Sequence, residues 1–218
     1  MQANLAVTQM YWGVDTPAGN AHSSHQTWPI PAFYISHQLN DKVWLGYGQF
    51  TRFGLGVKYP HNWAGGANLQ AVQLITQSIT PTIAYKINDV LSVAAGAELL
   101  YGDMQMRKNL SSNPMLNAYA HYMSGEGAGD VNINGHGFAF GGSLALHAQF
   151  NDRWAAGLTY RTPMSLKVQG KARWDNAVDP ALAFTNMQAM TNRNKLRGTL
   201  HLPDSFAFAV SYKPMENL

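Results

Sequence analysis

Few side chains in this sequence have the type and spacing that chemistry demands. Glu98 and Arg161 are isolated charges in runs of small residues, and strand alternation puts them on the same kind of face as Lys86 and His147. An acid and a base facing one another can pair, but no nucleophile or third polar group accompanies them, so a structural Glu98–Arg161 ion pair is expected rather than catalysis. His22 and His25 lie near each other among the chain's eight histidines, yet no carboxylate or thiolate stands close to complete a ligand set, and metal binding is not expected. Neither a phosphate-cradling loop nor a nucleophile elbow is present. The sequence predicts neither an enzyme nor a cofactor.

The elements that hold these residues are β-strands. The pair Asn-Asp occurs at Asn40-Asp41, Asn88-Asp89 and Asn151-Asp152, each time dividing two alternating runs. Both residue types tolerate the left-handed backbone of tight turns, so each pair predicts a hairpin. Ile79, Pro81, Ile83, Tyr85 and Ile87 oppose Thr80, Thr82, Ala84 and Lys86; Leu91, Val93, Ala95, Ala97, Leu99 and Tyr101 oppose Ser92, Gly96 and Glu98. Phe138, Phe140, Leu144 and Leu146 oppose Gly141, Ser143 and His147, and Phe206, Phe208, Val210 and Tyr212 oppose Ala207, Ala209 and Ser211. A period of two over ten or more residues means strand with one apolar face. Eight strands are expected, over 3–10, 31–39, 42–51, 71–87, 90–107, 135–150, 153–172 and 198–213.

The second face decides the solvent. Charged residues make up only 12% of the 218 residues, against 46% hydrophobic, and the mean hydropathy is −0.21 because Gly, Ser, Thr, Asn and Gln fill the remainder. A water-facing sheet carries more charge than this; small weakly polar residues suit the lumen of a barrel whose other face meets lipid. Tyr85, Phe150, Trp154 and Tyr160 lie toward the turns as an interfacial girdle would. The turns are tiny, whereas the opposite connections, about 52–69, 109–134 and 173–197, are long, which is the asymmetry of outer-membrane barrels. No apolar run approaches the roughly 18 residues of a membrane helix. The formal charge of +3 is dispersed rather than clustered, so no nucleic-acid partner is expected. The absence of cysteine fits an envelope protein.

The order of short motifs resembles the long-chain fatty acid and hydrophobic-compound transporter family of the bacterial outer membrane (FadL/TodX-like). Pro29-Ile30-Pro31 into Phe33, the strand ending Phe53-Gly54-Leu55, Thr80 to Asp89 followed by Leu91-Ser92-Val93, Gly137 to Gly142, Leu158 to Thr162, and Leu200 to Ser205 carry it, over about residues 28–213. The resemblance implies an all-β, antiparallel transmembrane barrel. About eight of an expected fourteen strands would be present, as an open partial barrel over 1–218 without the family's N-terminal hatch or last strands. It implies passive uptake: loop capture of a fatty acid or hydrocarbon, a barrel pocket, and lateral exit through a kinked strand. The protein would be a monomer among outer-membrane lipid and lipopolysaccharide.

Site residues follow from that resemblance. Met115, Leu116, Tyr119, Tyr122 and Met123 on one loop, with Leu182, Phe184, Met187 and Met190 on another, are expected to form short helices that hold acyl chains through adaptable side chains. Arg107 and Lys108 stand where the family places a cation near the substrate carboxylate, and ordinary headgroup contact is the plainer alternative. Gly46, Gly48, Phe50, Phe53, Gly54 and Gly56 mark the expected lateral opening, unless these glycines merely relieve crowding. Two rival readings remain: a complete eight-stranded barrel acting as anchor or adhesin, which would be filled by side chains, and a secreted soluble β-sandwich, which would need no detergent.

Overall fold

A computed structural model describes residues 2–16, 19–60, 63, 65–66, 68–109, 130–175 and 194–214. Among them are thirteen strands and no helix: β1 (Gln2–Met10), β2 (Gly13–Thr16), β3 (Gly19–His22), β4 (Gln26–Gln38), β5 (Val43–Phe50), β6 (Gly54–Lys58), β7 (Ala71–Lys86), β8 (Leu91–Asn109), β9 (Asp130–Gln149), β10 (Trp154–Arg161), β11 (Met164–Asp175), β12 (Asn194–Leu202) and β13 (Ser205–Tyr212). All pairings are antiparallel, and the main sheet runs β1-β4-β5-β7-β8-β9-β10-β13. β6 continues the line of β5 along β7, while β11 and β12 extend the β10–β13 pair past the upper half of β9.

Three identical turns set this register. The Asn40 Oδ1 accepts from the N–H groups of Lys42 and Val43, both at 2.9 Å. Asn88 does the same for Val90 and Leu91, and Asn151 for Arg153 and Trp154, at 2.7 to 2.9 Å. The asparagine side chain thus stands in for a backbone acceptor in each hairpin. Within the second turn Lys86 Nζ reaches the Asp89 carboxylate at 2.7 Å and holds that exposed carboxyl below its ordinary pKa.

The eight expected strands are present, but interrupted and lengthened. The run 153–172 splits into β10 and β11 at Thr162-Pro163, and 198–213 splits into β12 and β13 at Pro203-Asp204. Proline lacks the N–H that a ladder needs, so Pro163 and Pro203 stop pairing at one level. The connection expected over 52–69 contains β6, and the other two shorten because β9 begins at Asp130, β11 reaches Asp175 and β12 begins at Asn194. The hairpin β2–β3 was not expected; its residues are too few and too polar for a periodic signal. The two loop segments expected to be helical, 114–123 and 181–190, lie outside the described residues.

Burial is inverted relative to a water-soluble protein. Phe140 is 75% exposed, and Phe206 and Phe208 are 71% exposed, whereas Thr76 and Ser78 are fully buried on the other face. Soluble domains bury the former and expose the latter. A β-sandwich would also pack its apolar faces together; here they form one outward surface. On β8 that surface reads Leu91, Val93, Ala95, Ala97, Leu99 and Tyr101, then turns to Asp103, Gln105 and Arg107. On β9 it runs from Ala148 to Phe138, then to His136, Asn134 and Asn132. The register sets Tyr101 against Phe138 and Asp103 against His136, so both strands change character at one level. From Leu91 to Tyr101 the strand covers roughly 33 Å, which at a tilt of about 40° gives a band about 25 Å tall, the apolar height of an outer-membrane barrel.

Candidate functional site

Arg52 occupies a bulge between two strands. Phe50 pairs with Ser78 and Gly54 with Ile75, so Thr51, Arg52 and Phe53 oppose only Thr76 and Gln77. One extra residue bends the strand. The Thr76 hydroxyl supports the bend: it accepts from the Phe53 N–H at 2.9 Å and donates to the Phe53 carbonyl at 2.6 Å. Arg52 thereby turns to the inner face, where Nη1 meets Glu98 Oε2 at 3.0 Å. Nη2 donates to the carbonyls of Thr162 and Pro203, both at 3.2 Å. These two carbonyls lie at the proline interruptions of β10–β11 and β12–β13, where the ladder leaves acceptors open.

This contact also measures the curvature. Laid flat, β5 and β10 would lie about 19 Å apart across four strand spacings. One arginine bridges them, so the sheet is curled into a half-barrel and Arg52 is a bracket across its lumen. Its side chain is 6% exposed and that of Glu98 is fully buried. Gly141 stands directly across from Glu98 on β9, where a Cβ would fall 2.7 Å from the Met164 side chain.

The bracket divides the inner face. On the side of the long connections Leu100, Ala139, Met164, Leu166 and Leu202 form a buried apolar cluster, with Phe53, Leu74 and Val168 packed on it. On the side of the tight turns lies a cleft of about 500 Å³, lined in part by Tyr34, Ser36, Thr80, Thr82, Thr159 and Arg161. Arg161 does not pair with Glu98 as expected. Its guanidinium lies 5.2 Å from the centre of the Phe50 ring, and Arg52, one residue beyond the strand expected over 42–51, holds the acid instead. Lys86 is engaged with Asp89 at the turn end, and His147 is exposed on the inner face opposite Ser92 and Gly157.

Arg107 and Lys108 are adjacent in a strand and therefore face opposite ways. Arg107 points outward, donating to Asn132 Oδ1 at 2.8 Å with Asp130 at 4.0 Å, so of the two only Lys108 is on the lumen side. The capture residues Met115, Leu116, Tyr119, Tyr122, Met123, Leu182, Phe184, Met187 and Met190 lie outside the described residues. His22 and His25 stack on Tyr11, with ring centres 5.5 and 4.6 Å away.

Of the glycines expected at an opening, Gly54 and Gly56 border an unpaired seam in the wall, whereas Gly46 and Gly48 are paired on both sides, with Ser36 and Tyr34 of β4 and with Thr82 and Thr80 of β7. β4 pairs with β5 from Gln38 up to Phe33, and beyond that point its residues 26–32 pair only with β1. β6, on the far side, pairs among the described residues only with β7. The seam is closed above by the Ser24 N–H on the Lys58 carbonyl at 2.8 Å. Between these limits it is filled by the Trp28 ring, which lies so close over Gly56 that a Cβ there would fall 2.7 Å from it. The indole N–H is buried without an acceptor among the described residues, so packing holds the ring in the seam. Neither Arg52 nor Trp28 stood out in the sequence. An arginine directly after the uncharged run 43–51 was the available signal for the first; nothing local marked the second.

Similarity to known proteins spans this whole arrangement. The profile of the family described as outer membrane protein transport protein (OMPP1/FadL/TodX) matches residues 2–218. The long-chain fatty acid transport protein of Salmonella typhi is 23% identical over 150 residues, covering 65% of this chain and 34% of that one. A FadL homologue from Pseudomonas aeruginosa superposes with a TM-score of 0.70 at 15% identity, covering 98% of this chain and 56% of its own. The toluene transporter TodX of Pseudomonas putida superposes with a TM-score of 0.56 at 16% identity, covering 98% and 57%. The chain spans between 34% and 51% of the length of the curated relatives it matches.

Proposed function

The chain belongs to the OMPP1/FadL/TodX family of outer-membrane transport proteins, and from that premise we propose that it forms the part of a larger barrel through which hydrophobic molecules leave sideways into the outer membrane. The observation that carries this reading is the β4–β6 seam. A closed barrel pairs every strand edge, because lipid cannot satisfy free backbone groups. Here a stretch of wall beside β6 is left unpaired, opposite the upper end of β7 from Ile75 to Ala71, and is plugged by an apolar ring instead. A molecule in the lumen would pass Trp28 and leave sideways at the upper rim of the apolar band. No energy source is needed, since transfer of apolar surface from water to lipid is itself downhill. Long-chain fatty acids are the first cargo to test, as named for the Salmonella relative; toluene, named for the Pseudomonas structure, is the second. Capture by the two apolar loop segments, with Lys108 as a carboxylate contact, belongs to the same proposal.

The test uses the full-length protein in cells that lack other uptake routes, with labelled oleate and toluene. Gly54→Val combined with Gly56→Val is expected to lower uptake several-fold by crowding the seam, while Trp28→Ala raises it. Wild-type rates in both variants, with protein folded and present at normal levels, would remove the lateral exit. Failure of the unaltered protein to raise uptake of either compound would remove the transport reading itself.

A further inference from the structure

The outward surface of β11 and β12 changes from apolar to cationic at the level where the membrane ends. Below the proline interruptions, β10 and β13 present Trp154, Leu158, Tyr160, Phe206, Phe208 and Tyr212, with Tyr160 and Phe206 rings 4.7 Å apart. Above them the outward residues of β11 are Ser165, Lys167, Gln169, Lys171 and Arg173, and those of β12 are Lys195, Arg197, Thr199 and His201. All of these are exposed. Five of the chain's fifteen Lys and Arg residues therefore stand on one face of a two-stranded segment.

Height and charge together define what this face can hold. Lys167 is level with Phe138, whose ring tilts against Tyr101 at 5.2 Å in the last aromatic row of the apolar band. Lys171 lies about 13 Å further along its strand. The register sets Lys171 directly opposite Lys195. Like charges facing each other across a strand pair repel and destabilise the sheet. None of the five cations has an acidic partner among the described residues. Of the acids in the same outward rows, Asp130 on the adjacent β9 lies 4.0 Å from Arg107, and Asp103, two strands away, is contacted by Gln105 at 3.3 Å. A facing lysine pair just above an aromatic row, unneutralised by the protein, is arranged for anions supplied from outside.

We propose that this face binds the phosphate groups of lipopolysaccharide in the outer leaflet. Lys171, Arg173, Lys195 and Arg197 would pair with the phosphates, while Phe138 and the aromatic surface below meet the acyl chains. The arginines suit phosphate through their bidentate fork and the lysines as point charges. The His201 ring, 3.1 Å from Ser165 Oγ, continues the polar surface toward the interruption. The proposal rests on the reading that the strand ends above Tyr101 face outward from the cell. It concerns the lipid-facing exterior and is separate from the lumen.

The experiment compares the full-length folded protein with its K171Q/R173Q/K195Q/R197Q variant for binding of fluorescent lipopolysaccharide in detergent. Each cation near an anionic lipid surface contributes roughly fivefold, so the variant should bind about a hundredfold or more weaker, and dephosphorylated lipopolysaccharide should bind the unaltered protein equally weakly. A K171R/K195R variant should retain binding. Undiminished affinity in the quadruple variant overturns the proposal, as does equal affinity for the dephosphorylated lipid. Displacement by inorganic phosphate alone would identify a free-anion site and overturn the lipid assignment. Oleate uptake should be unchanged in the quadruple variant, and if the unaltered protein transports nothing, the lipid measurement still stands on its own.

Discussion

Replacing Arg52 with alanine is expected to be among the most damaging single changes in this fold. Glu98 would remain fully buried on the inner face, with neither carboxylate oxygen partnered, since Oε1 already lacks a hydrogen bond and Oε2 relies on Arg52. The carbonyls of Thr162 and Pro203 would lose their donor at the same time. Breaking one side of a buried ion pair typically costs about 3–5 kcal/mol, most of it from the stranded charge rather than the lost attraction. That origin makes a second outcome diagnostic. R52A combined with Glu98→Ala should be less destabilised than R52A alone, because no buried charge is left behind. The comparison is made by urea unfolding of the full-length protein in detergent, read by heat-modifiable gel migration. An R52A midpoint equal to that of the unaltered protein would show that the bracket contributes nothing to holding the half-barrel's curl.

How far the sequence foretold this arrangement differs between the wall and what crosses it. Strand pairing rests on local signals. The three asparagine caps act within three residues of themselves, and the alternation of Leu91 to Tyr101 is visible residue by residue. The bracket rests on positions 46, 110 and 151 residues from Arg52, brought together only once the sheet has curled. No spacing along the chain encodes that distance, and Arg161, on a strand of the right parity, looked like an equally good partner for Glu98. The interruptions were half legible. Pro163 and Pro203 forbid ladder bonds, yet a period-two reading runs straight over two unpaired residues because the β10–β13 register resumes unchanged between β11 and β12. At the seam the glycines drew attention through their lack of side chains, while Trp28 looked like any inward or outward aromatic until β4 and β6 were seen to part.

The same contrast governs where a charge can be placed on the exterior. Leu144 lies on the outward face of β9 midway between Ala148 and Phe138 and is 61% exposed, so it meets the centre of the apolar band. Leu144→Arg should destabilise the folded protein by about 2–4 kcal/mol, the cost of an arginine near the bilayer midplane. Gln105 is also outward and exposed, but two positions beyond the Asp103 level where the surface has become polar. Gln105→Arg should therefore cost roughly 0–1 kcal/mol. Unfolding of both variants from lipid vesicles in denaturant, scored by gel migration, gives the two values side by side. Equal and small costs at Leu144 and Gln105 would mean that the exposed phenylalanines and leucines of this sheet are covered by something other than lipid. A large difference in the stated order requires an apolar slab that ends between Tyr101 and Asp103, because the two sites share a sheet face and differ only in height.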